Sequence, residues 1–239
     1  MLETELQPLH LASLGGDGNA MTPAMALALA ASFGSLSRWR DAFAAMHKAA
    51  SADTAWLLLV FQPSDGSLAN QSLAGHHDTQ AEGIPILALD MLEPVRSKGL
   101  GLKDLGIQEA IDALLRRIDW AAVHARYQQA VVAASQDCGA SHDEVAHALL
   151  LDVRREGVYR AATSQLVNAQ WHDPAAVGQW GASLPTDRDI VVYCVHGHEV
   201  SRATALRLRA AGLRARYLKG GIGGWQAAGG TLAAKDHAG

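Results

Sequence analysis

Cys194 is one of two cysteines in the chain and stands where an apolar run, IVVY, gives way to VHGHE and then to RATALRLRA, which has the composition of a helix. In α/β sheets, reactive groups gather at the carboxyl ends of strands, where the next loop and helix N-terminus meet. The spacing predicts a helix starting at Val200 or Ser201, with the loop Val195, His196, Gly197, His198, Glu199 and Val200 curled over the sulfur. Gly197 permits close backbone approach with N–H groups turned inward, and such a cradle favours thiolate over thiol. The chemistry implied is nucleophilic. Two other readings stay open at this point: a small buried hydrophobe, and a zinc ligand with His196 and His198. Alternating positions in one tight loop match no common zinc spacing.

The elements that must hold this loop follow from pattern. The chain has 239 residues, 49% hydrophobic and 18% charged, which suits one large domain or two of ordinary size. A net charge of -4 without runs of like charge implies neither a nucleic-acid nor a membrane-surface partner. The opening MLETELQPLH has glutamates where a secretory signal has positive charge, no apolar run approaches the length of a membrane span, and two cysteines make no disulfide framework. A cytoplasmic protein is expected.

From Thr22 to Ala50, repeats at three and four predict two helices broken at Phe33 to Ser35. AWLLLVFQPSDGSLANQSLA predicts a β-hairpin, IPILALD (Ile84 to Asp90) a third strand, and IQEAIDALLRRIDWAAVHARYQQAVVAA a long helix. This half is expected to be α+β. Polar SQDCGASHDE ends in a capping box, and beyond it LLLDV, LVNAQW, DIVVYC and ARYLKG alternate with helical stretches, the rhythm of a parallel sheet covered by helices. The expected domains are 1–134 and 141–239, with a linker at 135–140 that leaves Cys138 a surface thiol.

LLLDVRREGVY (Leu149 to Tyr159), DIVVYCVHGHEVS (Asp189 to Ser201) and ARYLKGGIGGWQAAGG (Ala215 to Gly230) together resemble the rhodanese family of sulfurtransferases. The resemblance implies that Cys194 takes sulfane sulfur from a donor such as thiosulfate. It would hold that sulfur as a persulfide, with no other cofactor, and pass it to a thiol or cyanide. It also implies that Asp152 and Arg154 brace the loop. Ser201 and Arg202 stand as supporting residues at the start of the helix, where Arg202 reads either as a solvated helix residue or as positive charge near an anionic donor. Where the family reads Gly-His-Ile-Pro-Gly-Ala, this chain has SQLVNA, with Ser164, Gln165 and Asn168 in place of two glycines and a histidine, so the nearby loop geometry is expected to differ. The active loop lacks the lysine or arginine of some thiosulfate-specialised members. Val200 occupies the sixth place after Cys194, where Cys-x5-Arg phosphatases need arginine to bind phosphate, so phosphatase chemistry is disfavoured.

LASLGGDGNAMTPAMALALAASFGSLSRWRDAFAAM, AWLLLVFQPSDGSL and HHDTQAEGIPILALDMLEPV resemble the C-terminal domain of iron and manganese superoxide dismutases. Against that family's Asp-x-Trp-Glu-His, Asp90 and Glu93 match, but Leu92 replaces tryptophan and Pro94 replaces the ligand histidine. Asp90 is then a vestigial ligand, and one carboxylate does not make a stable metal site. Neither metal nor dismutase activity is expected. His76, His77 and Asp78 read as a polar turn, because adjacent side chains on an extended chain point apart. Glu93, which in the family reaches across a dimer interface, points to a homodimer through this domain. The leading function is sulfur transfer between a small-molecule donor and a thiol acceptor. The alternatives are a non-catalytic binding or redox-sensing rhodanese fold, and a residual metal-dependent dismutase.

Overall fold

The computed structural model describes residues 3–16, 20–49, 54–74, 81–90, 113 and 115–235. Two compact units result: Met1–Gln62 with Leu68–Tyr127, and Pro63–Ser67 with Gln128–Gly239.

In the first unit, helices α1 (Glu3–Leu11), α2 (Pro23–Phe33) and α3 (Leu36–Ala49) precede strands β1 (Thr54–Phe61), β2 (Leu68–Ala74) and β3 (Ile84–Asp90). The strands form an antiparallel sheet in the order β2-β1-β3. Thr22 caps α2 by accepting from the Met25 N–H, and Gly34, in the left-handed conformation, ends the helix at the predicted break. β1 reads as a continuous apolar run because it is buried on both faces. Trp56, Leu58 and Val60 cluster with Leu6 of α1, while Phe61 meets Tyr127 edge-on. Trp39 of α3 packs against Phe43 and Trp120, and its indole donates to Asn70 on β2. Asp90 is the last residue of β3; Leu92, Glu93, Pro94 and the His76–Asp78 turn lie outside the described residues.

Helix α4 (Trp120–Ala134) leads into the second unit. Its main sheet is parallel, in the order β4-β9-β8-β5-β7, built from β4 (Gly139–Ala140), β5 (Leu149–Asp152), β7 (Gln170–Trp171), β8 (Asp189–Tyr193) and β9 (Arg214–Leu218). A separate antiparallel pair joins β6 (Ser164–Leu166) to β10 (Leu232–Ala234). The helices are α5 (Glu156–Ala161), α6 (Val177–Trp180), α7 (Glu199–Ala210) and α8 (Gly221–Ala227).

Two expectations need correction here. Residues 135–140 are not a linker: Gly139 and Ala140 pair with β9, Ala140 lies in the core cluster with Val191, Tyr193 and Leu218, and Cys138 is buried. Their short polar composition hides an edge strand. LVNAQW is not one strand either, because Asn168 adopts a positive φ of 62° and turns the chain between β6 and β7. A glycine takes that conformation freely and asparagine tolerates it, so the position the family fills with glycine here carries a left-handed residue.

Candidate active site

β8 is the middle strand of the parallel sheet, and Ile190 to Tyr193 are fully buried, as a strand covered on both faces requires. Cys194 therefore leaves the sheet at the carboxyl end of its best-supported strand. α7 begins at Glu199, one residue before the predicted start, with His198 as its N-cap. The loop between is held from outside. The N–H groups of Ile222 and Gly223 donate to the carbonyls of Cys194 (3.0 Å) and Val195 (2.9 Å), and the Arg202 Nε donates to the Gly197 carbonyl at 2.8 Å. With those carbonyls drawn outward, nothing among the described residues accepts from the N–H groups of Val195, His196, Gly197 or His198. They remain available to an anion.

Two glycines make this packing feasible. Gly197 has φ 69°, and a Cβ there would lie 2.7 Å from the Leu218 carbonyl oxygen; Gly221 has φ 58°, and its Cβ would lie 2.5 Å from the Cys194 carbonyl oxygen. The Gly-rich run after β9 is thus the outer wall of the cysteine loop.

The Cys194 Sγ lies 3.2 Å from the Ser201 Oγ, and both residues are buried. A cavity of about 190 Å³ opens over the sulfur, lined by Arg154, Arg155, Val158, Val195, His196, His198, Glu199 and Val200. The structure thus gathers Cys194 at this cavity with Arg154 and the expected loop residues except Gly197. A second cavity, of about 660 Å³, is larger but is lined by a different set, including Val145, Leu149, Arg188 and Trp225, with no cysteine. The nucleophile identifies the smaller one as the candidate site.

Asp152 and Arg154 form a buried, bidentate ion pair: Arg154 Nε lies 3.0 and 2.9 Å from the two carboxylate oxygens, and its Nη2 also donates to the Ser164 carbonyl at 3.0 Å. The Tyr193 hydroxyl donates to Asp152 at 3.0 Å and accepts from the Leu166 N–H at 3.2 Å. Burial, with the Asp152 charge second, raises the Tyr193 pKa well above the ordinary phenol value. This network ties β5, β6 and β8 together beneath the loop. It braces strand ends, while the direct ties on the loop's carbonyls come from Ile222, Gly223 and Arg202.

Arg202 is not turned toward the cavity. Besides Gly197, its guanidinium donates to Ser135 Oγ at 3.1 Å and stacks 4.1 Å from the Tyr217 ring centroid. Glu199 is buried and accepts from Gln128 Nε2 at 3.1 Å. The residues that sequence reasoning missed are Arg155 and Val158, carried by the segment after β5, together with the outer wall at Gly221. The signal for the first pair was available: β5 neighbours β8, so its carboxyl end opens on the same crevice.

Among the described residues, no three of His, Cys, Asp and Glu come together as a metal site. None forms at Asp90, whose backbone N–H donates to His10 Nδ1, so the described residues do not supply the ligand set that iron or manganese would need. No helix among them is long and apolar enough to cross a membrane.

Comparison with known proteins supports both domains. Residues 134–228 match the rhodanese-like domain, and residues 21–95 match the C-terminal domain of iron/manganese superoxide dismutases. An iron superoxide dismutase from Cupriavidus metallidurans is 37% identical over 126 residues, 53% of this chain and 62% of the relative. A manganese superoxide dismutase from Halobacterium salinarum is 36% identical over 114 residues, 47% of this chain and 54% of the relative. The chain therefore spans little more than half the length of these dismutases. A rhodanese-related protein from Thermoplasma volcanium is 20% identical, covering 40% of this chain and 96% of its own, with a TM-score of 0.36. The chain thus joins a region similar to the C-terminal domain of iron/manganese superoxide dismutases to a region similar to the rhodanese-like domain.

Proposed function

We propose that the second domain is a sulfurtransferase in which Cys194 carries sulfane sulfur as a persulfide. One observation carries this reading: the Cys194 sulfur lies beneath a small cavity, 3.2 Å from the Ser201 hydroxyl, in a loop whose N–H groups from Val195 to His198 have no acceptor among the described residues. The nucleophile is the thiolate, and a hydroxyl donor beside it stabilises the charge. The thiolate attacks the outer sulfur of the donor. A Cys194 S–S bond forms, the donor's S–S bond breaks, and its electron pair leaves on the remainder, sulfite when thiosulfate is the donor. A thiolate or cyanide then attacks the terminal sulfur, and the pair of the persulfide bond returns to Cys194. The N–H groups of Val195 to His198, which have no acceptor among the described residues, supply donors for the sulfur that is negative in both states. Val200, at the cavity wall, offers no bidentate phosphate partner, which supports sulfur over phosphoryl transfer.

The first domain is a metal-free platform in this reading, because Pro94 stands where the family's ligand histidine belongs and no group of three His, Cys, Asp or Glu forms among the described residues. It pairs two chains as a homodimer, and the protein works in the cytoplasm without another cofactor. The test is purified protein with thiosulfate and cyanide, following thiocyanate, together with the intact mass after donor alone. Cys194-dependent turnover and a mass gain of one sulfur are expected. Absence of both with every sulfane donor leaves a binding or sensing module.

A further inference from the structure

Arg154 and Arg155 are consecutive, and both line the cavity over Cys194, yet their charges are committed differently. Arg154 is 4% exposed and spends its guanidinium on Asp152 and the Ser164 carbonyl. Arg155 is half-buried, and its guanidinium has no hydrogen-bond or ion-pair partner among the described residues. Its backbone is fixed, since it is the N-cap of α5 and its carbonyl accepts from the Tyr159 N–H at 2.9 Å. The side chain thus starts from a defined point on the cavity wall.

Partly desolvating a cation without a partner is unfavourable, and an anion in the cavity reverses that cost. The other charged or titratable groups on the wall are Glu199, His196 and His198. Glu199 opposes an anion, but it accepts from Gln128. Val195, His196 and His198, whose N–H groups have no acceptor among the described residues, also line the cavity, and Val158 adds an apolar surface.

We propose that Arg155 is the specificity-determining residue that binds the oxyanion end of a small sulfane donor, the sulfonate of thiosulfate or of a thiosulfonate. It supplies from the β5 side the cation that the cysteine loop lacks. This deepens the sulfurtransferase reading, but the anion site itself does not depend on turnover. Held by its oxygens at Arg155, thiosulfate presents its outer sulfur to Cys194, and the departing sulfite keeps the same contact as its charge develops.

The test uses the full chain and reads Cys194 alkylation by iodoacetate, an anion, and by iodoacetamide, its neutral counterpart, with peptide-resolved mass spectrometry separating Cys194 from Cys138. In Arg155→Ala the iodoacetate-to-iodoacetamide rate ratio is expected to fall about tenfold, the scale of one charge-assisted contact, with the iodoacetamide rate within about twofold of wild type. Arg155→Lys is expected to retain part of the ratio, and raised salt to lower it in wild type but not in Arg155→Ala. KM for thiosulfate is expected to rise more than kcat falls. A ratio unchanged in Arg155→Ala overturns the proposal, as does an equal fall in both alkylation rates, which marks a structural role. If the ratio responds while no donor yields thiocyanate, the anion site stands and the sulfurtransferase reading falls.

Discussion

The two domains share a well-packed frame but differ in what stands at its strand ends. The first keeps a frame: β1 and β3 are fully buried along most of their length, and Trp39, Phe43 and Trp120 pack together in its core. Of the dismutase ligand motif it keeps Asp90 and Glu93 around Leu92 and Pro94. The second pairs its frame with a cysteine loop, Cys194 to Glu199, tied down by Ile222, Gly223 and Arg202. A sheet is maintained by apolar burial, which does not depend on what its loops bind, so a fold outlasts a site more easily than a site outlasts its loop. The sharpest way to break this comparison is a pair of variants. Cys194→Ser is expected to reduce sulfur transfer to background and remove the persulfide mass gain. Asp90→Ala is expected to leave transfer per folded molecule within about twofold, since function lives in the site. Iron or manganese bound stoichiometrically by wild type and lost in Asp90→Ala would erase the contrast.

The next effect concerns stability and falls within the second domain. Asp152 neutralises a buried guanidinium and accepts from Tyr193. Asp152→Ala leaves that charge unpaired, and breaking a buried pair from one side costs about 3–5 kcal/mol. Tyr193→Phe removes one donor and orphans the Leu166 N–H, for a smaller loss of about 1–3 kcal/mol. Two domains need not unfold together. Near-ultraviolet circular dichroism and calorimetry on heating should show the transition of the second domain moving down while that of the first stays in place. A common shift would mean that the domains unfold as one unit.

Gly221→Ala sharpens the contrast between frame and site. Its Cβ would meet three loop atoms, the Cys194 carbonyl oxygen at 2.5 Å, the Gly197 nitrogen at 2.6 Å and the Val195 carbonyl oxygen at 2.7 Å, at a φ of 58° that alanine resists. The expected cost is about 1–3 kcal/mol, from steric conflict and left-handed strain. The loop moves first, so sulfur transfer should fall well before secondary structure is lost. Activity measured beside far-ultraviolet circular dichroism decides it, and retained activity would show that the outer wall yields without disturbing the sulfur.

Much of this was legible because local pattern and tertiary demand agree. IPILALD is β3 residue for residue, the PSDG hairpin forms, and a cysteine after a fully apolar strand does stand at the mouth of a cavity. What escaped depends on distant partners. Arg202 turns from the cavity because Ser135, 67 positions away, and the Tyr217 ring take its guanidinium. The edge strand at Gly139 gains its identity only by pairing with Tyr217. Arg155 has no periodic signature, and its meaning comes from β5 and β8 being neighbours although 36 residues, β6 and β7 among them, separate Asp152 from Asp189. The Ser141 to Glu144 capping box, by contrast, is purely local, and it formed as expected, though on a single 3-10 turn.

That capping box gives the smallest effect and a pH signature confined to the second domain. The exposed Glu144 carboxylate accepts from the Ser141 N–H at 2.8 Å and its hydroxyl at 2.7 Å, and pairs with Arg216 on β9. The Ser141 backbone bond, then its hydroxyl, then Arg216 lower the Glu144 pKa from 4.5 to about 2. The unfolded chain, at its higher pKa, takes up the proton first as pH falls. The contribution of Glu144 is therefore complete above about pH 4.5 and disappears as pH drops toward 2. Glu144→Gln should lower the second domain's midpoint modestly at neutral pH and flatten its decline across that acidic window, with the first domain's transition unaltered. Thermal melts at several pH values compare the slopes. Equal slopes in variant and wild type would show that the capping carboxylate does not carry the acid sensitivity, and would move it to other carboxylates of the second domain.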